Sequence, residues 1–255
     1  MGAEQLRDLL ATALDAGGIL MQAGATIPVV EQVVHRLGTS MGADWMDIYC
    51  TPTGIIAMAT SGGEHRTRVQ RIVGFGVDLA RVDAIMTLSR EAETKHLSIQ
   101  EVRVRLAAIR EKPRTYGRWL TMVAVAIGCG AFAFRMGGSP ADVAATIAVA
   151  ASGQWLRVTL LARNLSPLVT TAAVSTLIAV LGILVGLRAP ISTNVVTSAA
   201  VLLLVPGVFL VGAVYELISG NLVSGLARGA YAALLIMAIG AGIVLTFSVF
   251  LAWSQ

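Results

Sequence analysis

After position 118 polar and charged residues are scarce, so each one there is a candidate for chemistry. The densest group lies between Asn194 and Arg228. Pro206-Gly207 interrupts an apolar run; proline brings no backbone N–H, so carbonyls near Leu202 and Leu203 lose regular helix partners in an apolar segment. About 15 Å further along a helix comes Glu216, then Ser219, Asn221, Ser224 and Arg228. A broken span with a polar elbow is how transporters build a site for small polar solutes. The plain alternative is a kinked helix and an ordinary loop. Glu216 could bind an ammonium group or carry a coupling proton; equally, it could pair with Arg228 or point into water. Gln154 and Arg157, late in an earlier apolar run, could meet the break. Arg157 then holds a substrate carboxylate or offsets Glu216, unless it only snorkels to headgroups.

Other chemistries fit poorly. His35, His65 and His96 fall on different elements without metal-ligand spacing, and Gly74-Phe75-Gly76 lacks the rest of a dinucleotide fingerprint. No Gly-x-Ser-x-Gly elbow occurs. Cys50 and Cys129 form neither a disulfide framework nor a metal motif. No catalytic residue, metal or cofactor is therefore expected. A basic strand with Arg66, Arg68 and Arg71 could touch an anionic lipid or metabolite, but a solvated strand face explains it as well. The net charge of +4 is no nucleic-acid signal, because the excess sits near span ends.

The elements that must position these residues divide sharply. Residues 1–118 hold 14 of the 19 Lys and Arg and 13 of the 15 Asp and Glu, leaving seven charges for the remainder. With 56% hydrophobic residues and a mean hydropathy of +0.76, the second part reads as membrane-embedded. Residues 1–112 are expected to form a cytoplasmic α/β domain, with no cleavable signal peptide before it. Leu6, Leu9, Leu10, Ala13 and Leu14 mark a first helix that Gly24 stops. Thr26 is the expected N-cap of a second, with Pro28 in its first turn and a stripe at Val30, Val33, Val34 and Leu37. Trp45–Thr51, Ile55–Thr60 and His65–Val73 alternate as strands. Asp78 caps a helix through Glu93, and Ser98 with Glu101 forms a capping box for another ending at Arg110. Residues 113–255 are expected to span at about 118–136, 141–163, 166–188, 193–216 and 229–253. The fold class is thus a polytopic α-helical membrane protein of five transmembrane helices with an N-terminal α2β3α2 domain.

Lys112, Arg114 and Arg118 precede the first span, Arg157 and Arg163 end the second, and Arg228 lies before the fifth, against Arg135 and Arg188 on the other side. This distribution predicts a cytoplasmic N-terminus and an external C-terminus. Small-residue surfaces at Gly182/Gly186 and Ala124/Gly128 predict that a membrane face is buried against another protein. The competing reading is a membrane anchor for a cytoplasmic sensor or hydrolase domain. An anchor has no need of Gln154, Arg157, Pro206 and Glu216 in or near the bilayer.

Thr51–Gly54 (TPTG), Thr67–Arg90 (TRVQRIVGFGVDLARVDAIMTLSR), Thr115–Leu120 (TYGRWL) and Val205–Arg228 (VPGVFLVGAVYELISGNLVSGLAR) together resemble the threonine/serine exporter family, in the right order and over essentially the whole chain. The resemblance implies a cytoplasmic α/β domain fused to five spans in a bacterial inner membrane. It also implies export of small hydrophilic metabolites, serine and threonine or dicarboxylates such as succinate. Longer family members carry a second set of about five spans, so this chain is similar to the subunit form that works with a separate membrane partner, as a hetero-oligomer or with a second copy. At the elbow the resemblance leads us to expect Asp; Glu216 keeps the carboxylate with a longer reach.

Overall fold

A computed structural model describes residues 1–253 except Phe75, Arg114 and Thr115. Arg114 and the C-terminal Gln255, both used in the topology argument, thus lie outside the described residues. The chain forms two compact units that are not consecutive halves. One comprises Met1–Thr115 with Gly207–Ala230, the other Tyr116–Pro206 with Tyr231–Gln255.

In the first unit the helices α1 (Ala3–Gln22) and α2 (Ile27–Ser40) precede strands β1 (Trp45–Thr51), β2 (Gly54–Ser61) and β3 (Glu64–Arg71); α3 (Leu79–Lys95) and α4 (Ile99–Glu111) follow. The strands pair antiparallel in the order β1-β2-β3. One sheet face sends Met46, Cys50, Ile55, Ala57 and Ala59 into a core with Leu6, Leu9, Leu14, Val30, Val34 and Leu37. Gly24 ends α1 in the left-handed region, at φ 89°, where a side chain would be strained. The third strand stops two residues before the expected Val73. It is an edge strand, exposed almost throughout, and its charges suit an edge that must stay unpaired. Arg66 and Arg68 pair with Ala59 and Ala57, whereas Arg71 lies opposite Gly54. The pleat therefore puts Arg71 on the other face from the first two.

Asp78 caps α3, its Oδ1 accepting from the Arg81 N–H at 3.0 Å. Ser98 and Glu101 make the reciprocal box at the start of α4. Thr26 sits at the N-cap of α2 but makes no side-chain capping bond, contrary to expectation. Another residue of the unit takes that role.

In the second unit α5 (Arg118–Arg135), α6 (Pro140–Ala162), α7 (Pro167–Gly186) and α8 (Thr193–Val201), extended by a 3-10 turn at Leu202–Leu204, pack together. Then come α9 (Gly207–Ile218) and α10 (Leu222–Trp253), the latter passing from the first unit into the second after Ala230. Helices α5, α6, α7 and α10 are long and apolar enough to cross a membrane, and α8 with α9 counts as a further span if the interrupted pair is taken as one, giving four or five among the described residues. At 32 residues, α10 is about 48 Å long and exceeds a hydrocarbon core of ~30 Å.

Two sequence expectations need correction. The last helix starts at Leu222, not near 229, because Ser224 and Arg228 are helical residues on one face and only Ser219–Asn221 turn the chain, with Gly220 at φ 83°. The Gly182/Gly186 surface, expected to meet another protein, lies against Thr197 and Thr193 of α8 in the same chain. Missing side chains let two helices approach closely whichever chain supplies the second. By contrast, Gly128 on α5 has nothing within 4 Å of where a Cβ would stand.

Candidate functional site

Two polar centres gather the expected residues, one in each unit. In the first, α9 and the start of α10 form a helical hairpin closed by Gly225, where a Cβ would meet Leu217, and by Gly212, against the Arg228 stem. Glu216 is fully buried within this hairpin, and Arg228 is 11% exposed. Their ion pair measures 2.9 Å from Arg228 Nη2 to Glu216 Oε1. Ser224 donates its hydroxyl to Glu216 Oε2 at 2.8 Å. The backbone N–H of Ile27, the first residue of α2, donates to Glu216 Oε1 at 3.1 Å. Glu216 therefore does for α2 what Thr26 was expected to do, and its charge faces the positive end of that helix. Arg228 completes the clasp by donating to the carbonyls of Ala25 at 3.1 Å and Gly24 at 3.4 Å, at the end of α1. Of the other elbow residues, Ser219 is exposed and Asn221 half-buried, the latter's N–H donating to the Glu216 carbonyl at 2.8 Å.

In the second unit the helix break frees a carbonyl, and a charge meets it. Val205 and Pro206 lie outside any helix. Arg157, late in α6, donates from Nη1 to the Leu203 carbonyl at 3.0 Å. This is one of five guanidinium donors in a planar fork suited to a carboxylate. Gln154, one turn earlier, is buried with its Oε1 unpartnered among the described residues. The structure thus brings Arg157 to the broken segment, while Gln154 lies beside Arg118, Trp119 and Met122 of α5 and the counter-charge of Glu216 is Arg228. Pro206 ends the second unit and Gly207 opens the helix of the first.

Sequence reasoning passed over Asp142. Its Oδ2 accepts from the hydroxyl of Ser139 at 2.8 Å and the N–H of Ser139 at 2.7 Å, and its Oδ1 from the N–H of Ser192 at 2.6 Å, just before α8. The signal was present as Ser139-Pro-Ala-Asp142, a capping-box spacing.

The groups that would serve a hydrolase are engaged elsewhere. His35 stacks edge-on against Trp45 at 4.8 Å, and its Nδ1 lies 3.0 Å from the Met46 carbonyl oxygen. His65 meets the Thr60 hydroxyl at 2.9 Å. The Cys50 thiol is pushed up to about 12 by burial, with the negative charge of Glu31 adding to the effect, so it stays protonated and unreactive. Among the described residues no group of three or more His, Cys, Asp or Glu could hold a metal ion.

With this geometry in view, comparison with known proteins decides the class. The threonine/serine exporter family model matches residues 11–250. The chain belongs to that family. A Klebsiella aerogenes protein named "Probable succinate transporter subunit YjjP" is 31% identical over 233 residues, covering 90% of this chain and 89% of its own. Its Escherichia coli K12 namesake is 29% identical over 255 residues, covering 98% and 97%. No solved structure matches. This exporter-family chain is accordingly a membrane transport protein and not an enzyme, which sets aside the membrane-anchored hydrolase.

Proposed function

We propose that the chain is a subunit of a secondary transporter that exports small hydrophilic metabolites across a bacterial inner membrane, working with a second membrane subunit or a second copy. The substrates in view are threonine- or serine-like amino acids and dicarboxylates such as succinate, the chemistries named for the family and for two relatives. In this reading residues 1–112 are cytoplasmic, five spans follow, and the C-terminus is outside. The basic residues at Lys112, Arg118, Arg163 and Arg228, against Arg135 and Arg188, support that orientation.

One observation carries the proposal: the Arg157 guanidinium reaches the carbonyl that the Pro206 break leaves free, at 3.0 Å. A cation beside unwound backbone in an apolar layer is costly unless it has work to do. Carboxylates are common to both substrate classes, and a guanidinium fork binds them in a bidentate way. The freed carbonyl can accept from a substrate ammonium or hydroxyl. Glu216, Ser224 and Arg228 serve in this reading to hold the hairpin on the α1–α2 turn, while Ser219 and Asn221 belong to the turn between its helices.

The test is transport of radiolabelled L-threonine and succinate by vesicles containing this chain with its membrane partner. Arg157→Gln is expected to abolish export at normal protein levels, and Arg157→Lys to retain a minor fraction because a point charge replaces the fork. Wild-type export by Arg157→Gln would refute the site.

A further inference from the structure

Five hydroxyls in the apolar helices of the second unit bond back to a carbonyl of their own helix. Thr146 donates to the Asp142 carbonyl at 2.7 Å, Ser152 to Ala148 at 2.9 Å, Thr159 to Trp155 at 2.9 Å, and Thr246 to Gly242 at 2.7 Å. Ser175 donates to Ala172 at 2.9 Å. Each hydroxyl thus satisfies itself on its own helix, three or four residues back. Thr170 and Thr197 do not: both are buried, and the Oγ1 of each has no partner among the described residues. For Thr197 the reason is local, since it lies against Gly182 in the contact between α7 and α8.

The position of Thr170 is different. A Cβ on Gly153 of α6 would meet Val174 and Ile178 of α7, which fixes the register of these two helices. They are joined by residues 163–166 and run antiparallel. One turn onward from Gly153 is Arg157, and one turn back from Val174 is Thr170, each on the same stripe of its helix. This register puts Thr170 near the level of Arg157, on the side of α7 that faces α6. Gln154, next to Gly153, carries the other unpartnered buried oxygen of this region and is 6% exposed; Thr170 is 2% exposed. Two buried oxygens without partners among the described residues, one on the helix that carries Arg157 and one on the helix packed against it, offer hydrogen bonds to a polar solute.

We infer that Thr170 is a substrate-contacting residue that forms, with Gln154, a neutral hydrogen-bonding pair beside Arg157. The inference rests on the transport reading given above. Arg157 holds a carboxylate oxygen of the substrate. The Thr170 hydroxyl donates to the carboxylate or accepts from an adjacent ammonium or hydroxyl, and Gln154 takes the remaining polar atom. A valine at 170 keeps the shape of threonine and removes the hydroxyl, so it separates recognition from packing.

The experiment uses the full chain with its membrane partner in vesicles, and measures KM and Vmax for L-threonine and for succinate. Thr170→Val is expected to raise KM about fivefold to tenfold for the transported substrate, the size of one lost hydrogen bond to a polar or charged group. Vmax and thermal stability should stay close to wild type. Thr170→Ser should restore KM to within about twofold, and Gln154→Leu should shift KM in the same direction as Thr170→Val. A wild-type KM in Thr170→Val overturns the inference, and the Arg157 reading survives that result if Arg157→Gln still abolishes transport. Normal transport by Arg157→Gln removes both. A loss of Vmax or stability in Thr170→Val that serine repairs without any KM shift assigns the hydroxyl to packing and also overturns the inference.

Discussion

Arg228→Ala gives a direct test of the buried clasp. The arginine supplies the counter-charge of Glu216 at 2.9 Å and two donors to the carbonyls of Gly24 and Ala25. Without it, a fully buried carboxylate retains the Ser224 hydroxyl and the Ile27 N–H but no positive charge. Breaking a buried ion pair from one side costs about 3–5 kcal/mol, because the remaining charge is left uncompensated. Since about 1.4 kcal/mol is a factor of ten, amides of the α1–α2 turn should exchange with solvent roughly a hundredfold faster or more. Peptides spanning residues 22–30, followed by hydrogen exchange and mass spectrometry on the full chain in lipid nanodiscs, report this directly. Glu216→Gln keeps an acceptor for Ile27 and should fall between wild type and Arg228→Ala. The double variant Glu216→Leu with Arg228→Met removes both charges and should recover much of the protection, since well-packed apolar replacements of a buried pair are often neutral. Exchange in Arg228→Ala within threefold of wild type would refute the reasoning, and so would a double variant worse than either single one.

Further outcomes follow from other parts of the molecule. Burial raises the Glu31 carboxyl, outweighing the lowering by the Cys50 backbone hydrogen bond. The native state therefore binds that proton more tightly than the unfolded chain, and stability is lost as pH rises from about the usual glutamate value through the raised one. Glu31→Gln should accordingly raise Tm at pH 7 and leave it unchanged at pH 4, whereas an equal shift at both would exclude titration as the cause. Glu91 behaves oppositely, since hydrogen bonds from Arg105 and then Lys95 lower it; Glu91→Gln should lower Tm at pH 7, and the effect should fade as pH falls from the usual glutamate value through the lowered one. A side chain at Gly182 collides with Thr197, so Gly182→Leu should cost about 1–3 kcal/mol by overpacking without changing the oligomeric state measured by light scattering. A reporter fused after Gln255 should be inactive in the cytoplasm and active outside; the reverse overturns the proposed span count or orientation.

Local patterns in the sequence carried much of this structure. The apolar stripe through Leu6, Leu9, Leu10 and Leu14, the alternation in Trp45–Thr51, the N-cap at Asp78 and the capping box at Ser98 are interactions between near neighbours, and the residues themselves encode them. Thr26 shows where such reading ends. Its side chain is a good capping group, yet the Ile27 N–H is taken by Glu216, 189 positions away. No spacing rule reports a partner supplied by the far end of the chain. Gly182-x-x-x-Gly186 fails in a related way, since the pattern signals close approach and is silent on which helix approaches. In sequence the polar run Glu216–Arg228 reads as an elbow between two spans, because its polarity suggests a solute site or water and not burial. Helical spacing of Ser224 and Arg228 with Glu216 buried between them accounts for the same residues.

The two carboxylates after residue 118 bear on where the chemistry of transport can reside. Asp142 is held by the Ser139 hydroxyl and by N–H groups at the starts of two helices. Glu216 is held by Arg228, Ser224 and the α2 N-terminus. Neutralising Glu216 in a transport cycle would strand the buried donors of Ser224 and Ile27 and leave a buried arginine without its counter-charge, and neutralising Asp142 would weaken the bonds that join the starts of α6 and α8. Groups fixed in this way suit holding helices in place. Arg157 is fixed differently: among the described residues one donor is committed, to a single carbonyl at the break, and Gln154 on its own helix and Thr170 on α7 carry buried oxygens with no partner among the described residues. A solute can take no place at Glu216 without breaking the clasp, whereas the other guanidinium donors of Arg157 can bind a carboxylate with the Leu203 bond intact. Glu216→Gln should therefore show its defect in exchange and stability first, and Arg157→Gln in transport first.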